Sequence, residues 1–368
     1  AIPLSSQENK EKWNVAEPGE PYKEVKITTS EGTWMNLDVS PDGSSIVFEM
    51  LGDIYIMPVT GGQATLLRGG YPFEVQPRFS PDGKKISFTS DAGGGDNIWI
   101  MNLDGSDPEQ ITKEDFRLLN NAVWSPDGQY LVARKHFTSE RSLGAGELWM
   151  YHISGGTGIQ LVKRMNDQQD LGEPCFSPDG RYIYYSQDVY PGGFFQYNKD
   201  PNSQIYVIKR YDIHKGRSET EIPGPGGSIR PQVSPDGKKL AFVRRVREKS
   251  VLYIHDLETG IQKPVFDKLS KDKQEAWAIF GVSPISRVVM VARPLLPLMC
   301  FSFLWWPRPC WWPRSPSVTM AGPAPCWRCA MQPTAPCYLA PGWWWAGSQV
   351  SPACLFSAIS RWWQAGVS

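Results

Sequence analysis

Residues 39–48 read VSPDGSSIVF, and a hydrophobic residue followed by Ser-Pro-Asp-Gly returns at 79–83, 124–128, 176–180 and 233–237. The four-residue core occupies 40–43, 80–83, 125–128, 177–180 and 234–237, with spacings of 40, 45, 52 and 57 residues. It has a turn's chemistry: Ser accepts at the first position, Pro presets φ at the second, Asp suits the third and Gly the last. One such turn is weak evidence; five in the same surroundings define a repeat.

A strand follows each turn at a fixed offset. Three and five residues after the glycine stand Ile46 and Phe48, Ile86 and Phe88, Leu131 and Ala133, Ile183 and Tyr185, Leu240 and Phe242. Period-two alternation predicts a strand buried on one face. DIYIMPV (53–59), NIWIMNL (97–103), ELWMYHI (147–153), QIYVIKR (204–210) and VLYIHDL (251–257) come next. Their nearly continuous apolar and aromatic character predicts inner strands packed on both faces. A Gly-containing turn (61–62, 104–105, 155–156, 259–260) and a short last strand follow, and the strand before SPDG brings the count to four. Four antiparallel strands every 40–57 residues make one blade of an all-β propeller. Five blades are legible.

The sixth is disrupted. Val282, Ser283 and Pro284 arrive on cue, but Ile285 and Ser286 replace Asp-Gly. From 283 to 368 there are 13 Pro and 10 Trp among 86 residues, six Arg, and no Lys, Asp, Glu, His or Asn. A spanning helix needs about 20 predominantly apolar residues, and Arg293, Pro294 and Pro297 interrupt the most apolar run. Cys326 and Cys329 make one CxxC, without the further ligands a zinc site takes. The change in composition is what out-of-frame translation of GC-rich DNA yields, so the expected organisation is a lead segment 1–24, a propeller 25–282 and an out-of-frame or disordered tail 283–368.

Charge and cysteine divide the same way. The whole chain balances 38 basic against 38 acidic side chains, but residues 1–282 hold 32 basic against the same 38, a net charge of −6. A mildly acidic body does not suit nucleic acid, whose phosphates call for clustered Lys and Arg. Only Cys175 lies in the body and six cysteines lie in the tail, so the body folds without an internal disulfide. A start at Ala1-Ile2-Pro3 suits a mature secreted chain or an excised fragment.

The pattern hydrophobic-SPDG-x-x-Ile-x-Phe, then Ile-Trp/Tyr-x-Met, then a Gly turn resembles the TolB-type, WD-like propeller repeat across roughly residues 25–280. EGTWMNLDVSPDG (31–43), LGDIYIMPVTGGQATLL (51–67), SDAGGGDNIWIMNLDG (90–105) and AVWSPDGQYLVARK (122–135) are similar, more narrowly, to the N-terminal propeller of secreted bacterial amidohydrolases. That resemblance implies a periplasmic or secreted protein and six or more blades. It also implies a downstream metal-dependent hydrolase domain, holding a zinc-type divalent metal on a His-x-His pair. His136, His152, His214 and His255 are far apart in this chain and none pairs at that spacing. No G-x-S-x-G, HExxH, Walker or EF-hand pattern is present.

The expectation is therefore a chain with no catalytic or metal residues and no cofactor of its own: a propeller scaffold of an amidohydrolase-type protein. The alternatives are a fragment of the hydrolase itself, or the propeller of a prolyl-oligopeptidase-type serine peptidase, whose blades also use SPDG. Expected partners are a protein or the chain's own downstream domain, with no nucleic acid and no membrane span, and self-association through open blade edges. Two insertions explain the wide spacings, 135–147 and 188–203. Tyr190, Phe194, Phe195 and Tyr197 cluster in the second. Long loops and exposed aromatics suit an interface, and the same aromatics could instead fold back on the blade.

Overall fold

The computed structural model describes residues 15, 26–30, 35–115, 118–138, 144–191, 200, 202–247 and 249–271. The tail 283–368 and nearly all of the lead segment lie outside them.

Twenty strands form five four-stranded antiparallel sheets. The first blade is β1 (Leu37–Val39), β2 (Ser45–Met50), β3 (Asp53–Pro58) and β4 (Thr65–Arg68). The second is β5 (Glu74–Phe79), β6 (Lys85–Ser90), β7 (Asn97–Asn102) and β8 (Glu109–Gln110). The third is β9 (Leu118–Trp124), β10 (Tyr130–Thr138), β11 (Gly144–His152) and β12 (Gly155–Val162). The fourth is β13 (Leu171–Phe176), β14 (Tyr182–Asp188), β15 (Tyr206–Asp212) and β16 (Arg217–Ile222). The fifth is β17 (Ile229–Val233), β18 (Lys239–Val246), β19 (Lys249–Asp256) and β20 (Gln262–Lys271). Strands pair in chain order within every blade, and each blade's first strand packs beside the next blade's first strand, so these strands line the channel. This is a β-propeller.

The SPDG turns close on themselves. In each, the glycine amide donates to the serine carbonyl at 2.8–2.9 Å. The serine hydroxyl donates to the aspartate at 2.5–2.6 Å and accepts the amide five residues on at 2.9 Å. The aspartate also accepts the amide two residues on, at 3.0–3.1 Å. The Ser40 hydroxyl, then the Ser44 amide and hydroxyl, hold Asp42 down to about 2. Serine hydroxyls likewise lower Asp82, Asp127 and Asp179, and Asp236 is lowered although burial opposes it. The glycines sit at φ 70–75°, the left-handed region that costs other residues energy.

The turns also touch one another. A methyl group at Gly83, Gly128, Gly180 or Gly237 would sit 3.4–3.8 Å from the ring of Pro41, Pro81, Pro126 or Pro178 respectively. Each turn's glycine thus rests on the proline of the turn one blade earlier. The repeat is a hairpin and an inter-blade contact at once.

Packing corrects one expectation. The second strands of the inner blades are buried on both faces: β6 is covered at all positions after its first, and β14 likewise. Residues three and five after the glycine face the preceding blade, and the residue between them faces the following one. Ile86 and Phe88 pack with Val47 and Ile54; Leu131 and Ala133 with Ile98, Ile100 and Ile111. Ile183 and Tyr185 join Val132 and Leu148, and Leu240 and Phe242 join Tyr184, Ile208 and Ile222. Alternation here sorts side chains between two blades, because a propeller covers both faces of each sheet. The third strands are inner strands of their sheets, as expected.

The first blade's counterparts, Ile46 and Phe48, point away from the second blade, and the first and fifth blades share no comparable packing among the described residues.

Three substitutions test this packing. Ser177→Ala should cost about 1–3 kcal/mol in denaturant unfolding, because the aspartate loses its donor and the Tyr182 amide its acceptor. Phe88→Ala, in a side chain 1% exposed between two blades, should cost about 3–5 kcal/mol. Phe48→Ala, at the same strand position but half-buried and outside that inter-blade cluster, should cost clearly less; an equal cost would show that Phe48 is packed as tightly as Phe88.

Candidate functional site at the channel

Antiparallel pairing puts the SPDG turns and the third-to-fourth-strand turns on one face of the propeller. The second-to-third-strand loops and the links between blades lie on the other. Both long insertions, 135–147 and 188–203, join second to third strands and so open on this loop face.

The channel wall beneath it repeats. Four residues before the SPDG serine, Gln76, Asn121, Glu173 and Arg230 all take left-handed backbone, at φ 61°, 56°, 58° and 57°. Each sits in a bulge where ladder register shifts. A bulge re-aims a side chain, and left-handed backbone in a non-glycine residue stores strain. Here it sends backbone amides to the blade behind. The Gln76 amide donates to Glu49 at 2.8 Å, the Asn121 amide to the Gln76 side-chain oxygen at 2.5 Å, and the Arg230 amide to Glu173 at 3.0 Å. Sequence reading did not single out these residues. Pro77, Pro174 and Pro231, each directly after a left-handed residue, were the available signal, since proline inside a strand is confined to edges, first positions and bulges.

Further pins join the blades near the loop face. Arg134 reaches Asp170 at 2.7 Å and the Leu171 carbonyl at 3.1 Å, and Asp170 also accepts the Gly146 amide at 2.7 Å. A side chain at Gly146 would collide with the Leu171 carbonyl, and one at Gly172 with Arg134. Between the first two blades, Arg68 meets Glu74 at 2.5 Å. Glu74 is 1% exposed and one of its oxygens has no partner. Burial raises its pKa from 4.5 to about 7 even though Arg68 pulls it down.

The histidines lie apart. His136 contacts Arg134 at 2.8 Å; His152 contacts Ser154 at 2.6 Å and the Tyr130 ring edge-on. His255 is buried 3.7 Å from Glu221, and the His214 amide caps Asp212. His152 and His255 stand on third strands, as sequence placed them. Among the described residues no group of three or more His, Cys, Asp or Glu is placed to hold a metal ion. No helix among them is long and apolar enough to cross a membrane.

Of the four insertion aromatics, only Tyr190 is among the described residues; Phe194, Phe195 and Tyr197 lie outside them. The Tyr190 amide donates to Asp188 at 2.8 Å and its carbonyl accepts from Gln169 at 2.9 Å. Its ring packs on a cluster of Ile205, Tyr206, Ile229, Val243 and Leu252.

These features agree with what the chain is similar to. Residues 22–196 match the family model of the TolB beta propeller domain, and the described body is a TolB-like β-propeller. The chain is 28% identical over 241 residues to an uncharacterized protein of Agrobacterium fabrum, a match covering 61% of this chain and 75% of that one. It is 32% identical over 166 residues to the Tol-Pal system protein TolB of Wolinella succinogenes, covering 44% of this chain but only 38% of that protein. A solved structure assigned to TolB, from Agrobacterium tumefaciens, shares the fold with a TM-score of 0.50 at 22% identity, over 64% of this chain and 81% of that one.

The buried Glu74 sets a pH dependence. Its folded pKa lies above its unfolded one, so the folded state binds the extra proton. Stability fully present below about pH 4.5 is lost as pH rises through about 7, on the order of 3 kcal/mol in all. Glu74→Gln should flatten this slope in unfolding curves at pH 5 and pH 8; an unchanged difference between the two would place the titrating group elsewhere.

Proposed function

We propose that this propeller is a non-catalytic scaffold that binds a protein partner, either a separate chain or a downstream domain of its own, through the loop face. The observation that carries this reading is how its polar groups are used. The charged and amide side chains near the channel bond from blade to blade, as Arg134 does to Asp170 and Glu173 to Arg230. Such bonds rigidify a platform. Meanwhile Leu51, Phe73, Met165 and Val246, 39–77% exposed, stand on the loop face in loops or at the strand end beside them. Exposed apolar side chains rimmed by polar groups suit a protein interface.

Similarity to a Tol-Pal system protein supports an interaction role and a periplasmic or secreted setting. On this reading the amidohydrolase implied by the repeat's narrower resemblance is the activity the scaffold serves. Its divalent metal would be held by residues other than those described.

Photo-crosslinkers placed at Phe73 and Met165 of the purified chain, and at Leu103 on the opposite face as control, test the reading in extract of the source cell. A discrete protein adduct from the first two sites and not from the third is expected. Equal labelling of both faces, or metal-stimulated amide hydrolysis by the purified chain, would defeat it.

A further inference from the structure

The hairpin that joins β2 to β3 turns on Leu51 and Gly52, between the paired Met50 and Asp53. Both turn residues have positive φ, 59° and 90°, the type I′ signature that favours Asn-Gly or Asp-Gly. Here leucine holds the first position. Among the described residues, the other non-glycine residues at positive φ are Gln76, Asp107, Asn121, Glu173, Arg230 and Arg247, all polar or charged. Arg247 is the counterpart of Leu51 in the fifth blade, directly after Val246, which pairs with Lys249. A leucine side chain cannot bond the nearby backbone as asparagine does, and this one is not buried either, being 77% exposed. A single exposed leucine is ordinary on a protein surface. One that also strains its backbone, where asparagine would relieve the strain, gives the fold nothing, and strain of this kind gathers at functional positions.

Phe73 stands beside the same hairpin. A methyl group at Gly52 would come within 2.8 Å of its ring. The Phe73 amide donates to Asp91 at 2.7 Å, and the Glu74 amide donates to the Gly52 carbonyl at 2.9 Å. A ring 43% exposed is thus carried on backbone tied to both neighbouring loops. The hairpin 49–53, the link 69–74 and the loop 90–97 hold Glu49, Asp53, Glu74, Asp91 and Asp96, and no Lys, Arg or His. Glu49 and Glu74 are buried, and Arg68, directly before the link, is spent on Glu74. Asp53 and Asp91 accept amides of the link at the surface, from Gly70 at 3.2 Å and from Phe73. The two apolar side chains therefore sit in an acidic rim.

We propose that Leu51 and Phe73 anchor a docking site for a basic protein segment, one that carries an exposed apolar side chain between Lys or Arg residues. The apolar side chain covers the two anchors while the cations meet Asp53 and Asp91. The strained, pinned backbone holds the anchors ready before the partner arrives. A second copy of this chain would set acid against acid, and an anionic lipid surface would be repelled. The proposal rests on the loop face binding a protein, and adds what that protein must carry.

Fluorescent peptides Lys-Leu-Arg-Phe-Lys, Glu-Leu-Asp-Phe-Glu and Lys-Ser-Arg-Ser-Lys are titrated into the full chain, its Leu51→Asn variant and, on the opposite face, Leu103→Asn. The first peptide should bind saturably, and Leu51→Asn should weaken it by about tenfold or more. Leu103→Asn should bind as the wild type does. Leu51→Asn should also melt at or above the wild-type midpoint, since asparagine suits the turn. A lower midpoint would show that the leucine serves the fold, and an unchanged affinity that it is no anchor; either overturns the proposal. Equal binding of the acidic or the serine peptide would overturn the basic, apolar chemistry. Leu51-dependent binding to phosphatidylglycerol vesicles without peptide binding would make the site a membrane contact and overturn the partner. Failure of the peptides with the Met165 adduct intact sinks this site alone, whereas loss of every loop-face adduct sinks the reading beneath it.

Discussion

The contact on which the structure depends is the face-to-face seating of each blade on the one before it. A four-stranded sheet has two faces and cannot bury both alone. In this chain the residues three and five after each turn glycine cover the preceding blade, and the residue between them covers the following one. Each fully buried Val, Leu, Ile or Phe in those layers contributes about 1.5–3 kcal/mol relative to exposure. The turn glycine resting on the previous turn's proline repeats the same relation near the axis. Stability is therefore shared between neighbours, and the two end blades differ from the middle three for that reason alone.

Polar chemistry follows this layered plan. The wide parts of the blades meet through apolar clusters, while the narrow inner strands meet through amides, carboxylates and guanidinium groups. Near the axis four bulges turn backbone amides toward the preceding blade, and side-chain acceptors meet three of them. Local backbone strain is tolerated there because packing on both sides over-determines it. The result is a channel wall with fixed hydrogen-bonding directions beneath a face of longer, more variable loops. That combination separates a rigid recognition surface from an adaptable one, which is how loops set on a scaffold commonly serve binding.

The candidate site was less legible than the fold. The insertion aromatics caught attention because aromatic residues in a long loop are visible as composition. Tyr190, the described one, packs against the blade core. The channel residues escaped because Gln76, Asn121, Glu173 and Arg230 share no residue type. Only their common distance from the SPDG serine and the prolines beside three of them relate them, and a strand's alternation gives no hint of left-handed backbone.

Sequence alone determined the blade count it could spell, the four strands per blade, the turn positions and the type of each turn. These are local matters: Ser, Pro, Asp and Gly carry their dihedral preferences and hydrogen bonds within six residues. It did not decide which blade each alternating side chain serves, since period two says only that neighbours point to opposite faces. Nor did it reveal the inter-blade amide bonds along the channel. Those bonds join residues 27 to 57 positions apart, and only the circular arrangement of the blades brings them together.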